Sequence, residues 1–274
     1  MRRLVLLFAA VALIGANLSG CVSSPVTGRS QFMVVPESFA IDASKTAYTQ
    51  ELSQFEKDGK LDNDPKLKAR VVAITERLVA QAITYRPETA DWAWQVKVID
   101  DPEVVNAWCM AGGKMAVYTG LIQKIEPTDD ELAQVMGHEI AHALAKHQAE
   151  KMSVALVTQV GIGVWAANQN NPELAATLGA GAAAVAITLP NSRTAESDAD
   201  RIGIELAAKA GYNPHAAVSL WKKMNEVSGS GDFDWLSTHP SPGKRTETLQ
   251  GLVPKMMPYY KKAGANPPVF KIEQ

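Results

Sequence analysis

The sequence predicts an α+β fold that is mostly helical and contains one small β-sheet. Most of the chain repeats apolar residues at the three- and four-residue spacing of amphipathic helices, as Val71, Ile74 and Leu78 do. Strand-like alternation of apolar and polar residues is found in Trp92–Ile99. Of its 274 residues, 46% are apolar, an ordinary fraction for a globular chain with a buried core.

The elements are expected in a definite order. Helices are predicted over Glu37–Lys57 and Pro65–Ala82, a strand over Trp92–Ile99, a hairpin from Val104–Met110 and Met115–Tyr118, a short helix from Thr119, and later helices over Thr194–Ala210, Pro214–Val227 and Pro242–Met257. Gly112 and Gly113 accept the positive φ that the hairpin turn requires. Gly211 and Pro214 end the first of the later helices.

The N-terminus has the pattern of a secretory signal peptide over residues 1–20. Two arginines precede a short apolar run, which is too short to span a membrane, and small residues precede Cys21. Leu-Ser-Gly-Cys resembles the bacterial lipobox, which implies cleavage before Cys21 and its lipidation. Val22 is not the aspartate associated with inner-membrane retention, so the expected location is the periplasmic side of the outer membrane. The alternative is an ordinary secreted protein.

The remaining chain is expected to form a tether, residues 21–36, and a single domain, residues 37–274. Removal of the signal leaves a formal net charge of −4 and no basic block, which argues against a nucleic-acid partner. Cys109 then has no disulfide partner within the chain, and we expect it to be a packed core thiol. Ser153–Ala167 and Leu174–Leu189 are apolar but short, which favours cover helices over membrane contact.

His138, Glu139 and His142 form the pattern H-E-x-x-H. Two imidazoles four residues apart on a helix reach one metal ion, and Glu139 between them is placed to accept a proton from a metal-bound water. The helix itself is well marked, because Thr128 and Glu131 form a capping box after Pro127. The pattern therefore predicts one Zn²⁺ per chain.

A catalytic zinc site needs a third protein ligand and an open fourth position. Glu196 and Asp200 share a face of the helix predicted from Thr194, while Asp198 points nearly the opposite way. We expect Glu196 to bind zinc and Asp200 to hydrogen-bond the far nitrogen of a zinc-bound histidine. Alone, two acids near a helix N-terminus are equally typical of a solvated surface; the upstream H-E-x-x-H favours the ligand interpretation.

These motifs together resemble one peptidase family. After the histidine motif, Ser192-Arg193 leads into the acidic motif, and Gly211-Tyr212-Asn213-Pro214, Thr238-His239-Pro240 and Arg245 follow it. This order resembles that of the gluzincins that include the CAAX prenyl proteases, HtpX, the mitochondrial Oma-type proteases and bacterial lipoproteins such as LoiP. Pro25–Arg29 resembles the start of the lipoprotein members, which are the most similar group. The resemblance covers residues 25–250 and implies a zincin-like metallopeptidase with its small sheet beside the zinc helix.

The resemblance also implies a role for His239, which would donate to the oxyanion of the reaction; a loop histidine ordered by Pro240 is the alternative. His147 and His215 receive no role, because His147 lies opposite His138 on a continuous helix. Substrate is expected to pair with the edge strand that contains Asn106, Ala107 and Trp108.

The predicted function is a zinc metalloendopeptidase of the bacterial cell envelope that cleaves unfolded or misassembled envelope proteins. Recognition of backbone rather than side chains suits such substrates. Two alternatives remain open: an aminopeptidase with the same zinc motif, and a zinc-bearing holdase whose proteolysis is weak or gated by the segment between His142 and Glu196.

Overall fold

The computed structural model describes residues 21–167, 171, 173, 192–228, 237–239 and 244–273. The predicted signal peptide, the whole of Leu174–Leu189 and the predicted start of the last helix at Pro242 lie outside these residues. The helices are α1 Glu37–Lys57, α2 Pro65–Tyr85, α3 Thr119–Ile125, α4 Asp129–Leu144, α5 His147–Ala167, α6 Arg193–Lys209, α7 His215–Ser228 and α8 Arg245–Ala263; the strands are β1 Cys21–Ser23, β2 Ser30–Phe32, β3 Gln95–Ile99, β4 Ala107–Met110 and β5 Lys114–Tyr118.

A three-stranded sheet lies beside the central helix and has the order β3-β5-β4. Strand β5 runs parallel to β3 and antiparallel to β4, so that Ala107 opposes Val117. Gly112 and Gly113 both have positive φ in the turn between β4 and β5, as the hairpin prediction required. The predicted fold class, a mostly helical α+β layout with this small sheet, is confirmed.

Helix α4 lies in the middle of the core. Thr128 Oγ1 accepts a hydrogen bond from Glu131 N at 3.2 Å, and Glu131 Oε2 accepts one from Thr128 N at 2.9 Å, so the predicted capping box is formed. Leu132, Met136 and Ile140 are fully buried. Because almost every side chain of α4 is buried, the helix presents its polar residues to an interior site rather than to solvent.

Two glycines allow α4 and α6 to approach closely. A Cβ added to Gly203 would lie 2.8 Å from His138 N, and one added to Gly137 would lie 2.9 Å from Gly203 O. Backbone atoms on both sides leave no room for a side chain. This contact brings the N-terminal part of α6, with Glu196 and Asp200, over the histidines of α4.

The N-terminal segment expected to be a tether contains a small antiparallel hairpin, β1 paired with β2. Val26 lies in the turn between β1 and β2 and packs against the main core. Arg29 and Gln31 form hydrogen bonds to residues of the α4–α5 turn and α5. Three-residue strands carry too little periodicity for sequence patterns to reveal them.

Helices α5 and α8 differ from expectation in length. Helix α5 begins at His147, directly after the turn that ends α4, and α8 continues through Pro254 and Pro258 to Ala263 rather than ending at Met257. Val154, Leu156, Val157 and Val160 of α5 are about half exposed. Within the described residues, the helices do not include one with the length and apolar character needed to cross a membrane.

Candidate metal centre

His138 and His142 stand one turn apart on α4 and point to one place. Their Nε2 atoms are 3.1 Å apart, and both rings are buried. Each side chain therefore turns the same nitrogen towards a common point. The arrangement is the one that the four-residue spacing on a helix predicts.

Glu196, on α6, completes the group. Its Oε2 lies 3.4 Å from His138 Nε2, and its Oε1 lies 3.3 Å from His142 Nε2. Ligands at zinc-binding distances in tetrahedral geometry lie about 3.3–3.5 Å from one another. The two imidazole nitrogens and the Glu196 carboxylate, which faces each nitrogen with a different oxygen, are thus already near these separations. Two imidazoles with one carboxylate are a donor set that suits zinc.

His239 and Glu139 lie on the remaining side of this cluster. A ligand nitrogen of His239 is within 4.8 Å of the donor atoms of His138, His142 and Glu196. His239 Nε2 is also 3.4 Å from Glu139 Oε1. The two residues predicted to act on the substrate, Glu139 as base and His239 as donor, are therefore side by side, and Thr238 Oγ1 lies 2.9 Å from the other ring nitrogen of His239.

Asp200 and Arg245 support His138. Asp200 Oδ1 lies 3.1 Å from His138 Nδ1, which is the contact that the sequence predicted for Asp200. Arg245 donates to both Asp200 and Glu196, is 2% exposed, and stacks on the Trp221 ring with its guanidinium carbon 3.7 Å from the ring centroid. In the sequence, Arg245 stands out only through the family resemblance, and no local pattern indicates this contact.

His142 has a different partner, His147, which the sequence analysis gave no role. Their Nδ1 atoms are 2.9 Å apart. On a helix that continued through His147, this residue would lie opposite His138, but α4 ends at Leu144 and Lys146 adopts φ 60°. Because the chain reverses at this turn, His147 returns towards the metal centre instead of pointing away from it.

Burial and hydrogen bonds shift the pKa values of the cluster in different directions. Burial disfavours protonated His138, but its hydrogen bonds to Asp200 and Glu196 outweigh burial and raise its pKa. Burial, together with the neighbouring imidazoles, lowers the pKa of His142 and that of His239. Burial acts against the Glu196 carboxylate, yet hydrogen bonds from His138 and His142 hold its pKa low. A neutral His239 therefore donates an uncharged N–H.

The predicted substrate strand is the outer strand β4 of the three-stranded sheet. Tyr118 N donates to Asn106 O, so Asn106 faces β5. Because alternate residues of an antiparallel strand face the partner, the N–H and C=O groups of Ala107 and Cys109 point away from β5. Asn106 Oδ1 accepts from Ala107 N at 2.9 Å, and the Gln148 side chain donates to Cys109 O at 2.8 Å. The side chain of Trp108 lies on the face of the sheet opposite to the side chains of Ala107 and Cys109, and its ring lies edge-on to Tyr48.

The two cysteines lie in different settings. Cys109 is buried, as expected, and burial together with the charge of Glu139 raises the pKa of its thiol. Cys21 is the first residue of β1. Its predicted lipidation stays a prediction.

Comparison with known proteins places the chain. The profile of peptidase family M48 matches residues 65–253, which include the histidine and acidic motifs. The chain belongs to peptidase family M48. This family is consistent with the resemblance drawn from the motifs, and the predicted cofactor, one zinc ion per chain, is confirmed by the family and the donor cluster.

The curated relatives of this chain include mitochondrial and bacterial proteases. The metalloendopeptidase OMA1 of Bos taurus is 33% identical over 246 residues, 85% of this chain and 46% of that protein; the human protein is 32% identical over 249 residues, again 85% and 46%. The β-barrel assembly-enhancing protease of Escherichia coli K12 is 28% identical over 213 residues, 72% of this chain and 41% of that protein. The chain thus spans less than half the length of each of these three M48 relatives.

Proposed function

We propose that this chain is a zinc metalloendopeptidase of the bacterial cell envelope that cleaves unfolded or misassembled proteins. The observation that carries the proposal is the buried cluster of the His138 and His142 Nε2 atoms and the Glu196 carboxylate, whose closest atom pairs are 3.1–3.4 Å apart, with the Glu139 carboxylate next to His239 at its side. Metalloendopeptidases among the relatives support the activity, and the β-barrel assembly-enhancing protease supports the envelope setting.

The residues divide the work of peptide hydrolysis between them. When bound, zinc supplies a Lewis acid that lowers the pKa of a coordinated water and polarises a carbonyl group. Glu139 accepts the proton of the attacking water and passes it to the leaving amine. His239 donates its N–H to the negative charge that develops on the carbonyl oxygen. Asp200 fixes His138 with its Nδ1 protonated, so that Nε2 is left for the metal.

The outer edge of β4 is the proposed place for an extended substrate. Ala107 and Cys109 offer outward backbone groups there, which add a peptide as a further strand. The Gln148 amide now occupies the Cys109 carbonyl and would leave it when a peptide binds. Pairing through the backbone demands an extended segment and not a particular side chain, which suits substrates that have lost their fold.

The N-terminal sequence supports the proposed location. Acylation of Cys21 would hold the protein at the periplasmic face of the outer membrane, and a multiply acylated cysteine holds firmly. We expect Cys21→Ser to move the protein from the membrane fraction to the soluble periplasmic fraction. Recovery of this variant in the membrane fraction at the wild-type level would contradict lipid anchoring.

The activity is tested by Glu139→Gln. We expect this variant to retain bound zinc, measured by metal analysis, and to lose casein cleavage, because the proton acceptor is gone while the three ligands remain. Glu226→Gln, an exposed glutamate on α7, is the matched control and should cleave at the wild-type rate. Full casein turnover in Glu139→Gln, or wild-type turnover that persists after chelation of zinc, would refute the proposal.

A zinc-bearing holdase with gated proteolysis is the second candidate, and one contact favours it. His239 Nε2 lies 3.4 Å from Glu139 Oε1, so the proposed base is engaged by a loop residue in this structure. A holdase would suppress aggregation of a denatured client equally well in Glu139→Gln and in the wild type. Loss of that suppression together with cleavage would exclude it.

A further inference from the structure

His142 has a hydrogen-bond partner that determines where its proton lies. Its Nε2 faces the Glu196 carboxylate and the metal position, and its Nδ1 is 2.9 Å from His147 Nδ1. A histidine that binds metal through Nε2 carries its proton on Nδ1. His142 is therefore the donor in this contact, and His147 Nδ1 must be the acceptor.

The same logic fixes the proton of His147. If its Nδ1 accepts, the neutral ring carries its proton on Nε2. This atom is buried and lies 3.8 Å from Asp198 Oδ2, which is an electrostatic contact longer than a hydrogen bond. A carboxylate at this distance favours the Nε2–H tautomer electrostatically. Asp198 Oδ2 in turn accepts a hydrogen bond from Arg29 Nε at 3.0 Å. Hydrogen bonds thus join Arg29 to Asp198 and His147 to His142, and an electrostatic contact of 3.8 Å joins the two pairs.

The N-terminal hairpin holds the turn that carries His147. Gln31 Nε2 donates to Ala145 O at 2.7 Å, where α4 ends. Arg29 forms two hydrogen bonds to the Glu150 carboxylate, at 2.9 and 2.7 Å, in the first turn of α5. The hairpin therefore contacts the chain on both sides of His147, and it reaches Asp198 on α6 through the same arginine.

We propose that His147 is a positioning residue for the metal centre: it orients His142 and fixes its tautomer, while Asp198 faces its other ring nitrogen and the N-terminal hairpin holds the turn that carries it. The inference rests on the proposed function to the extent that His142 binds zinc. It makes the N-terminal hairpin part of the support of a metal ligand, although the hairpin lies outside the residues that match the family profile.

Zinc affinity of the full chain, measured by competition with a chromophoric chelator, tests the role of His147. His147→Phe removes the acceptor and should weaken zinc binding by about 10- to 100-fold, the range found when such supporting partners are lost. His147→Gln keeps an acceptor oxygen and should lose less. His215→Gln, at an exposed histidine, is the matched control and should bind zinc as the wild type does.

A double-mutant cycle separates positioning from general structure. Asp198→Asn should weaken zinc binding in the wild-type background and have no further effect in the His147→Phe background, because Asp198 acts through His147. An equal fold-loss in both backgrounds would overturn the proposal. Ser197→Ala removes a hydroxyl that donates to Arg193 O within α6; it provides the neighbouring control and should change neither background.

A measurement without mutation keeps the test open if His147→Phe does not fold. Long-range ¹H–¹⁵N correlation spectra of the zinc-loaded, histidine-labelled protein should show His147 protonated at Nε2 and His142 at Nδ1. Protonation of His147 at Nδ1 would overturn the proposal. Failure of the wild type to bind zinc refutes the proposed function, whereas zinc binding that is unchanged in a folded His147→Phe variant refutes only the positioning role.

Discussion

The two histidines of the metal centre are supported in different ways. His138 is held from inside the core by Asp200 and Arg245, which are both buried; Asp200 lies on α6, which packs against α4, and Arg245 lies on α8, which packs against α6. His142 is held by His147, which faces Asp198, and Asp198 pairs with Arg29. The side chains of Asp198 and Arg29 are 16% and 24% exposed. Charges shielded from solvent interact more strongly than those near it. We infer that the His138 side governs whether the centre forms, while the His142 side is open to adjustment from the N-terminus.

Replacement of the two arginines gives the sharpest contrast. Arg245→Met leaves Glu196 and Asp200 without their buried cation and should lower the free energy of unfolding of the metal-free protein by about 3–5 kcal/mol. Arg29→Met removes pairs close to solvent and should cost about 1 kcal/mol or less. Urea unfolding with chelator present measures both, and Arg193→Met is the exposed control. Equal losses for Arg245 and Arg29 would remove the distinction between the two sides.

The α4–α6 contact is the next largest expected effect. Gly203→Ala places a methyl group against the backbone of His138 and should destabilise the protein by about 1–3 kcal/mol and weaken zinc binding, since Glu196 moves away with α6. Gly251→Ala is the matched control, because a Cβ there meets no atom within 4 Å. Thermal unfolding and chelator competition measure the two effects. Unchanged zinc affinity in Gly203→Ala would show that helix separation does not set the ligand geometry.

A comparison of the two aspartates sharpens the contrast further. Asp200→Asn should weaken zinc binding by about 10- to 100-fold, because the amide holds His138 Nδ1–H less strongly than the carboxylate does. Asp198→Asn acts on His142 only through His147 and should have the smaller effect. Chelator competition under identical salt conditions compares them. A larger loss for Asp198→Asn would reverse the assignment of the dominant side.

Acid should release the hairpin, which is the smallest effect. Burial disfavours the charged forms of Glu150 and Asp198, but Arg29 with Gln31 at Glu150, and His147 with Arg29 at Asp198, outweigh it and lower both pKa values. A carboxyl with a lowered folded-state pKa stabilises the fold above its unfolded pKa and loses that contribution as pH falls through the folded value. The stability difference between wild type and Arg29→Met should therefore be full at pH 6 and shrink below about pH 4. A constant difference from pH 6 to pH 3 would contradict this.

Local signals predicted what local structure determines. Helix α4 and its capping box could be predicted because Thr128 and Glu131 are neighbours on one turn, and β4 and β5 because Gly112 and Gly113 mark their turn. The spacing of the H-E-x-x-H motif already brings two imidazoles to one face of a helix. The relation between Glu196 and Asp200 is likewise a property of a single helix.

The rest depended on contacts that sequence patterns do not encode. Lys146 adopts a left-handed conformation usually left to glycine or asparagine, so no turn signal announced the end of α4, and His147 was placed on the wrong side. Arg245 reaches Asp200 and Glu196 from 45 and 49 residues away. Arg29 meets Asp198 across 169 residues, a contact fixed only by the packing of the whole domain.

The buried thiol of Cys109 allows separation of the edge strand β4 from its neighbours to be followed chemically. A raised pKa keeps the thiol protonated, and its burial denies access to alkylating reagents while the sheet is closed. In a Cys21→Ser background Cys109 is the sole cysteine of the sequence. The rate of its alkylation would then report how often β4, the edge strand next to Glu139, opens far enough to expose the thiol. This measurement needs no added label.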